Sequence, residues 1–150
     1  MQLIIRTRVV KILTSKAIYY YSMTGNTKGL IDSVDVSGFD IYNLSQIKKD
    51  ELNFDKYNII LFGTSTWGRG LPPRVFFNIR DELVKIHGKQ IGLFGSGNTH
   101  YGEEFFCGAL DLLEELLKPK NQILFKLKFE SYPTKRVIDE FKQLLKECGL

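Results

Sequence analysis

Nothing limits the architecture of this 150-residue chain more than its alternation of short apolar runs with amphipathic stretches. The runs AIYYY (17–21), DIYN (40–43), IILFG (59–63), QIGLFG (90–95) and ILFKLKF (123–129) read as strands. Between them lie helical patterns: a short one at Asn26–Val34, a second at Glu103–Leu117, and a closing amphipathic one at Thr134–Cys148. Pro73 opens a further one, RVFFNIRDELVKI, in which Val75, Phe76, Ile79, Leu83 and Ile86 recur at helical spacing. In the Glu103 stretch, acids fall where a first turn favours them. Strand and helix alternate about five times, which predicts an α/β fold, a parallel sheet with helices on both faces. In such sheets ligands bind beyond the carboxyl ends of the strands.

Charge divides the chain unevenly. The net charge is +4, and Arg6, Arg8, Lys11 and Lys16 supply all of it, with no acid among the first sixteen residues. Residues 1–16 therefore read as a basic extension and 17–150 as one neutral domain, which speaks against a nucleic-acid face. No apolar stretch approaches a membrane span, and the early basic residues interrupt any signal-peptide core, so a cytoplasmic location is expected. Cys107 and Cys148 are too few for a disulfide framework and are expected as buried free thiols.

Three loops rich in hydroxyls and glycines follow strands. The first, Ser22-Met23-Thr24-Gly25-Asn26-Thr27, sets hydroxyl donors and successive backbone amides before a helix, a ready anion site. It carries no Walker lysine, which excludes a P-loop triphosphate site, and no acid, which excludes the Mg²⁺ pocket of a receiver domain. A plain hydroxylated turn with a helix cap is the alternative. The second loop holds Ser65, Thr66, Trp67 and Gly68. Its Trp, the chain's only one, is a stacking platform for a flat ring or else a surface Trp over the sheet edge. The third, G95-S-G-N-T-H-Y-G102, lacks the last glycine of a dinucleotide fingerprint. It offers Ser96, Gly97 for close backbone approach, Asn98 for edge hydrogen bonding and Tyr101 as a second ring; His100 reads as a solvated loop residue. Taken together, the loops suit a flat aromatic ligand carrying one phosphate. They suggest neither a catalytic set nor a metal site.

These motifs resemble the flavodoxin family. Ser22, Thr24, Gly25 and Thr27 meet its [ST]-x-T-G-x-T phosphate loop. Ser65–Gly68 (STWG) is similar to the loop that stacks Trp on one flavin face, and Gly95–Tyr101 to the loop whose Tyr covers the other. Phe106–Asp111 is similar to the helix that follows. The resemblance runs from Ala17 to the C-terminus and implies a flavodoxin-like three-layer sandwich, strand order 2-1-3-4-5, noncovalent FMN and an electron-carrier role. It implies that Ser22–Thr27 hold the phosphate, that Trp67 and Tyr101 sandwich the ring, and that the Gly68 peptide faces flavin N5.

Some features depart from ordinary flavodoxins: the neutral domain, the short first helix, the SGN-x-x-aromatic-G loop, and Arg69 where an acid is common. They are similar to the flavodoxin-type activator of class Ib ribonucleotide reductase, which implies a ribonucleotide reductase small subunit or a flavodoxin reductase as redox partner. The STWG loop stands closer to electron-transfer flavodoxins, so a general low-potential donor is the alternative, ahead of an FMN-dependent NAD(P)H reductase. Acids near a flavin disfavour its anionic reduced form, so Arg69 is expected to bring the two one-electron potentials closer together.

Overall fold

A computed structural model of the protein describes residues 15–66 and 70–150. Its sheet holds β1 (Lys16–Tyr21), β2 (Asp40–Asn43), β3 (Ile59–Ser65), β4 (Gln90–Gly97) and β5 (Gln122–Glu130). All neighbours pair parallel in the order β2-β1-β3-β4-β5, as expected. The helices are α1 (Asn26–Asp32), α2 (Arg74–Asn78), α3 (Arg80–Val84), α4 (Gly108–Leu117) and α5 (Lys135–Glu147).

Successive side chains of a strand point to opposite faces, and the buried clusters follow that parity. Ala17 and Tyr19 of β1, with Ile60 and Phe62 of β3, pack on Phe76, Leu83 and Leu110 from α2, α3 and α4. Ile18 and Tyr20, with Leu61, pack on Leu30 of α1 and Phe141 of α5. The sheet is thus the middle of three layers. Because helices cover both faces, its central strands read as unbroken apolar runs.

Edge strand β5 is different. Phe125, Leu127 and Phe129 join the cluster under α5. Lys126 and Lys128 point the other way and ion-pair with Asp111 of α4 at 2.7 and 2.8 Å, Lys126 also with Glu114 at 3.0 Å. Charge on one face of an edge strand also opposes pairing with another sheet.

Two expected helices take another form. The Pro73 stretch is broken at Ile79 (φ −105°, ψ 14°) into α2 and α3, although Phe76, Ile79, Leu83 and Ile86 are all buried. The Glu103–Leu117 helix is shorter than expected. Glu103–Phe105 forms a separate 3-10 turn, and Cys107 adopts a left-handed conformation (φ 50°) just before α4. The acid in the first turn of α4 is therefore Asp111, not Glu103 or Glu104. The cause is tertiary: Gly108 lies so close to Gly70 that a Cβ there would sit 2.7 Å from its Cα. Helix α1 stops two residues early, where the Ser33 hydroxyl donates to Gly29 O at 2.6 Å. β1 begins at Lys16, and Asn58 N and Ile59 N donate to Ser15 O, so the described chain is already tied to β3 there. The expected extension otherwise falls in 1–14, outside the described residues.

Candidate functional site

Register places the carboxyl ends of β1, β3 and β4 side by side: Tyr21 pairs with Thr64, and Ser65 with Ser96. The loops that leave them share one edge of the sheet.

The first loop is organised by Gly25, whose φ of 86° admits glycine readily and turns the chain into α1. Ser22 Oγ accepts the Lys28 amide at 3.1 Å, and the Gly29 amide donates to Gly25 O at 2.8 Å. That last bond is the first within the helix, so the Asn26 and Thr27 amides have no intrahelical acceptor. Thr27 is fully buried, and its hydroxyl lies 3.3 Å from that of Ser96. The loop is thereby fixed to the end of β4.

The second and third loops meet through backbone and side chain. Thr66 N donates to Ser96 O at 3.1 Å, and Thr66 Oγ1 accepts the Ala109 amide of α4 at 3.3 Å. Asn98 Oδ1 accepts the His100 amide at 2.8 Å and caps the 3-10 turn Thr99–Tyr101. Thr99 Oγ1 donates to Glu130 at 2.6 Å. The close approach expected at Gly97 is made to the protein itself, since a Cβ there would sit 2.8 Å from Cys107 N and Sγ. Cys107 Sγ donates to Gly95 O and Phe129 O, both at 3.5 Å, and burial pushes its thiol pKa up to about 12.

A cleft of about 140 Å³ opens between the loops. Met23, Thr24 and Asn26 line one side, Ser65 and Thr66 the floor, and Ser96, Gly97 and Asn98 the other side. Ser22, Gly25 and Thr27 are not in the lining and instead shape the first loop. Trp67, Gly68 and Arg69 lie outside the described residues, and of Tyr101 only the backbone is described. Ser131, just past β5, also lines the cleft. Sequence reading passed over it, although the exit of β5 lies at the same end of the sheet as the three loops.

Among the described residues no Lys, Arg, Asp or Glu lines this cleft. Its donors are hydroxyls, side-chain amides and backbone N–H groups. Ser65 Oγ is buried and finds no hydrogen-bond partner among the described residues, an orphan that a ligand oxygen would satisfy. Such a set fits a phosphate monoester on a hydroxylated chain, held without a metal. A more voluminous groove of about 360 Å³ lies between α2, α3 and α4, lined by Phe76, Phe77, Leu112 and Leu116, and lacks these donors. Among the described residues no group of His, Cys, Asp or Glu could hold a metal ion, and no helix is long and apolar enough to cross a membrane.

Comparison with known proteins gives the same architecture a family. The flavodoxin family model matches residues 18–127. Probable flavodoxin 2 of Bacillus subtilis is 32% identical over 146 residues, covering 88% of this chain and 95% of its own. The crystal structure of oxidised flavodoxin 2 from Bacillus cereus superposes with a TM-score of 0.76 at 28% identity, covering 90% of this chain and 99% of that one. At 19% identity, flavodoxin from Fusobacterium nucleatum, solved bound to flavin mononucleotide, shares the fold with a TM-score of 0.72 over 90% of this chain and 96% of its own. The chain belongs to the flavodoxin family, whose members are FMN-binding electron carriers rather than enzymes.

Proposed function

We propose that this protein holds FMN in the cleft between its three loops and serves redox partners as a general flavodoxin-type electron donor. The observation that carries the reading is the convergence of neutral donors from the exits of β1, β3 and β4 around the unpartnered Ser65 hydroxyl. Bound FMN supplies one-electron chemistry; the protein supplies the place and the surroundings. Ser22–Thr27 hold the phosphate, with the Asn26 and Thr27 amides and the Thr24 hydroxyl as donors. Ser65, Thr66 and Ser96 face the hydroxylated chain, and Gly97 and Asn98 the far wall. Trp67, Gly68 and Tyr101 are assigned to the ring on the strength of the family motif. With no charged side chain in the cleft lining among the described residues, the phosphate is balanced by dipoles, as backbone amides at a loop-to-helix turn allow.

A finer role, assembly of a ribonucleotide reductase cofactor, rests on the Ser96-Gly97-Asn98 loop and the Arg69 departure, whereas the relatives named above are flavodoxins. Both roles pair the protein with a redox protein partner and suit the cytoplasm expected from the sequence. The test is electron transfer from the FMN-loaded, chemically reduced protein to cytochrome c, run beside NADPH consumption by the protein alone. Fast transfer with no NADPH turnover supports the carrier reading; NADPH turnover contradicts it. Unusually fast reaction of the reduced protein with oxygen would favour the activator role.

A further inference from the structure

Helix α4 is more apolar than its packing on the sheet requires. It buries Ala109, Leu110, Leu113 and Leu117, yet Leu112 is 43% exposed. Across from it, Phe77 of α2 is 55% exposed, while its neighbour Phe76 is buried. Both border the groove of about 360 Å³ between α2, α3 and α4, whose floor includes buried Phe76 and Leu83. Leu71, also exposed, adjoins the lining residue Pro72. Exposed apolar side chains gathered at one groove mark an interaction surface, whereas scattered ones need no explanation.

The charges on the rims identify the occupant. Each rim carries an exposed apolar residue and, three positions on, an exposed charge: Phe77 then Arg80 on one side, Leu112 then Glu115 on the other. Neither Arg80 nor Glu115 makes an ion pair among the described residues. An isologous contact pairs residue i with j and j with i, so a two-fold axis lays each rim on the opposite rim of a second copy. Arg80 then meets the second copy's Glu115, twice over. Residues 17–150 carry no net charge, so two copies do not repel at long range.

We propose that this groove is the interface of a symmetric homodimer. Phe77 and Leu112 bury against the second copy, and the Arg80–Glu115 pairs set the register. Groove and cleft share no lining residue, so the proposal stands apart from the FMN reading.

The test is sedimentation velocity of the full chain over a wide range of concentrations, in wild type and in variants at these exposed positions. Circular dichroism melts check that each variant is folded. Wild type should pass from monomer to dimer as concentration rises. Phe77→Asp should weaken association about a hundredfold, since an apolar anchor is lost on both sides of the axis. Arg80→Glu or Glu115→Arg alone sets like charges face to face and should weaken it about tenfold. The double exchange, Arg80→Glu with Glu115→Arg, restores opposite charges and should recover the wild-type association. A chain that stays monomeric overturns the proposal. The apolar dye ANS then tells whether the groove is open to a different protein, if dye binding depends on Phe77, or is covered by another part of the chain, if no dye binds. A dimer that survives Phe77→Asp, or a double exchange that fails to recover association, overturns the proposal as well.

Discussion

The hydroxyls of Thr27 and Ser96 lie 3.3 Å apart, buried, and join residues 69 positions distant in the chain. The contact fastens the helix of the first loop to the end of β4, so two walls of the cleft hold one spacing. Thr27→Val keeps the shape but removes the buried hydroxyl partner of Ser96. Urea denaturation should show a loss of about 1–3 kcal/mol. FMN affinity should fall in the same variant, because the two loops are no longer held together.

Two glycines test how rigid the site is. At Gly97 a new Cβ would meet the backbone nitrogen of Cys107 at 2.8 Å, an atom that cannot move without α4. Gly97→Ala should cost about 1–3 kcal/mol by overpacking. At Gly29 the obstacle is the ring of Tyr132, 61% exposed and able to swing away. Gly29→Ala, inside α1, should be close to neutral, since alanine favours helix by up to about 1 kcal/mol over glycine. Thermal melts of the two variants should therefore separate clearly.

The two thiols should behave differently. Cys107 is fully buried, and burial raises its pKa to about 12, so the reactive thiolate is scarce at neutral pH. Cys148 is only partly buried. In native protein one equivalent of thiol should react with Ellman's reagent, and two after denaturation. The raised folded value also means that the Cys107 contribution is complete below the unfolded pKa of about 8.5 and is lost as pH rises toward the folded value.

Acid should act through Asp111. Burial alone would raise its pKa, but hydrogen bonds from Lys126 and Lys128 outweigh that and hold it below the ordinary carboxylate value. A depressed carboxylate contributes stability above its unfolded pKa of about 3.9, and loses it as pH falls through the folded value. Asp111→Asn should thus be less stable than wild type at pH 7, with a shallower loss of stability below about pH 4. Denaturant titrations at both pH values measure the difference.

Strands were legible in the sequence because a parallel sheet covered on both faces needs apolar runs, and AIYYY and IILFG are such runs. The first and third loops were legible because hydroxyls and glycines accumulate immediately after those strands. The breaks at Ile79 and Cys107 were not, since continuous helical spacing hides them. The turn at Cys107 is imposed by Gly108 meeting Gly70 and Gly97 meeting Cys107, contacts distant in sequence. The lysines of β5 were visible as an alternation, but their partners on α4 were not. Ser131 was missed because Ser-Tyr-Pro reads as an ordinary turn, and a positive φ on serine leaves no mark in the sequence.

Binding of FMN set beside riboflavin, followed by quenching of flavin fluorescence on ligand-free protein, tests the central claim most directly. The two ligands differ only in the phosphate that Ser22–Thr27 are assigned to hold. One FMN should bind per chain, with riboflavin weaker by about tenfold or more, as charge-assisted hydrogen bonds to the phosphate require. Equal affinity for the two, or no binding of FMN, would contradict the account.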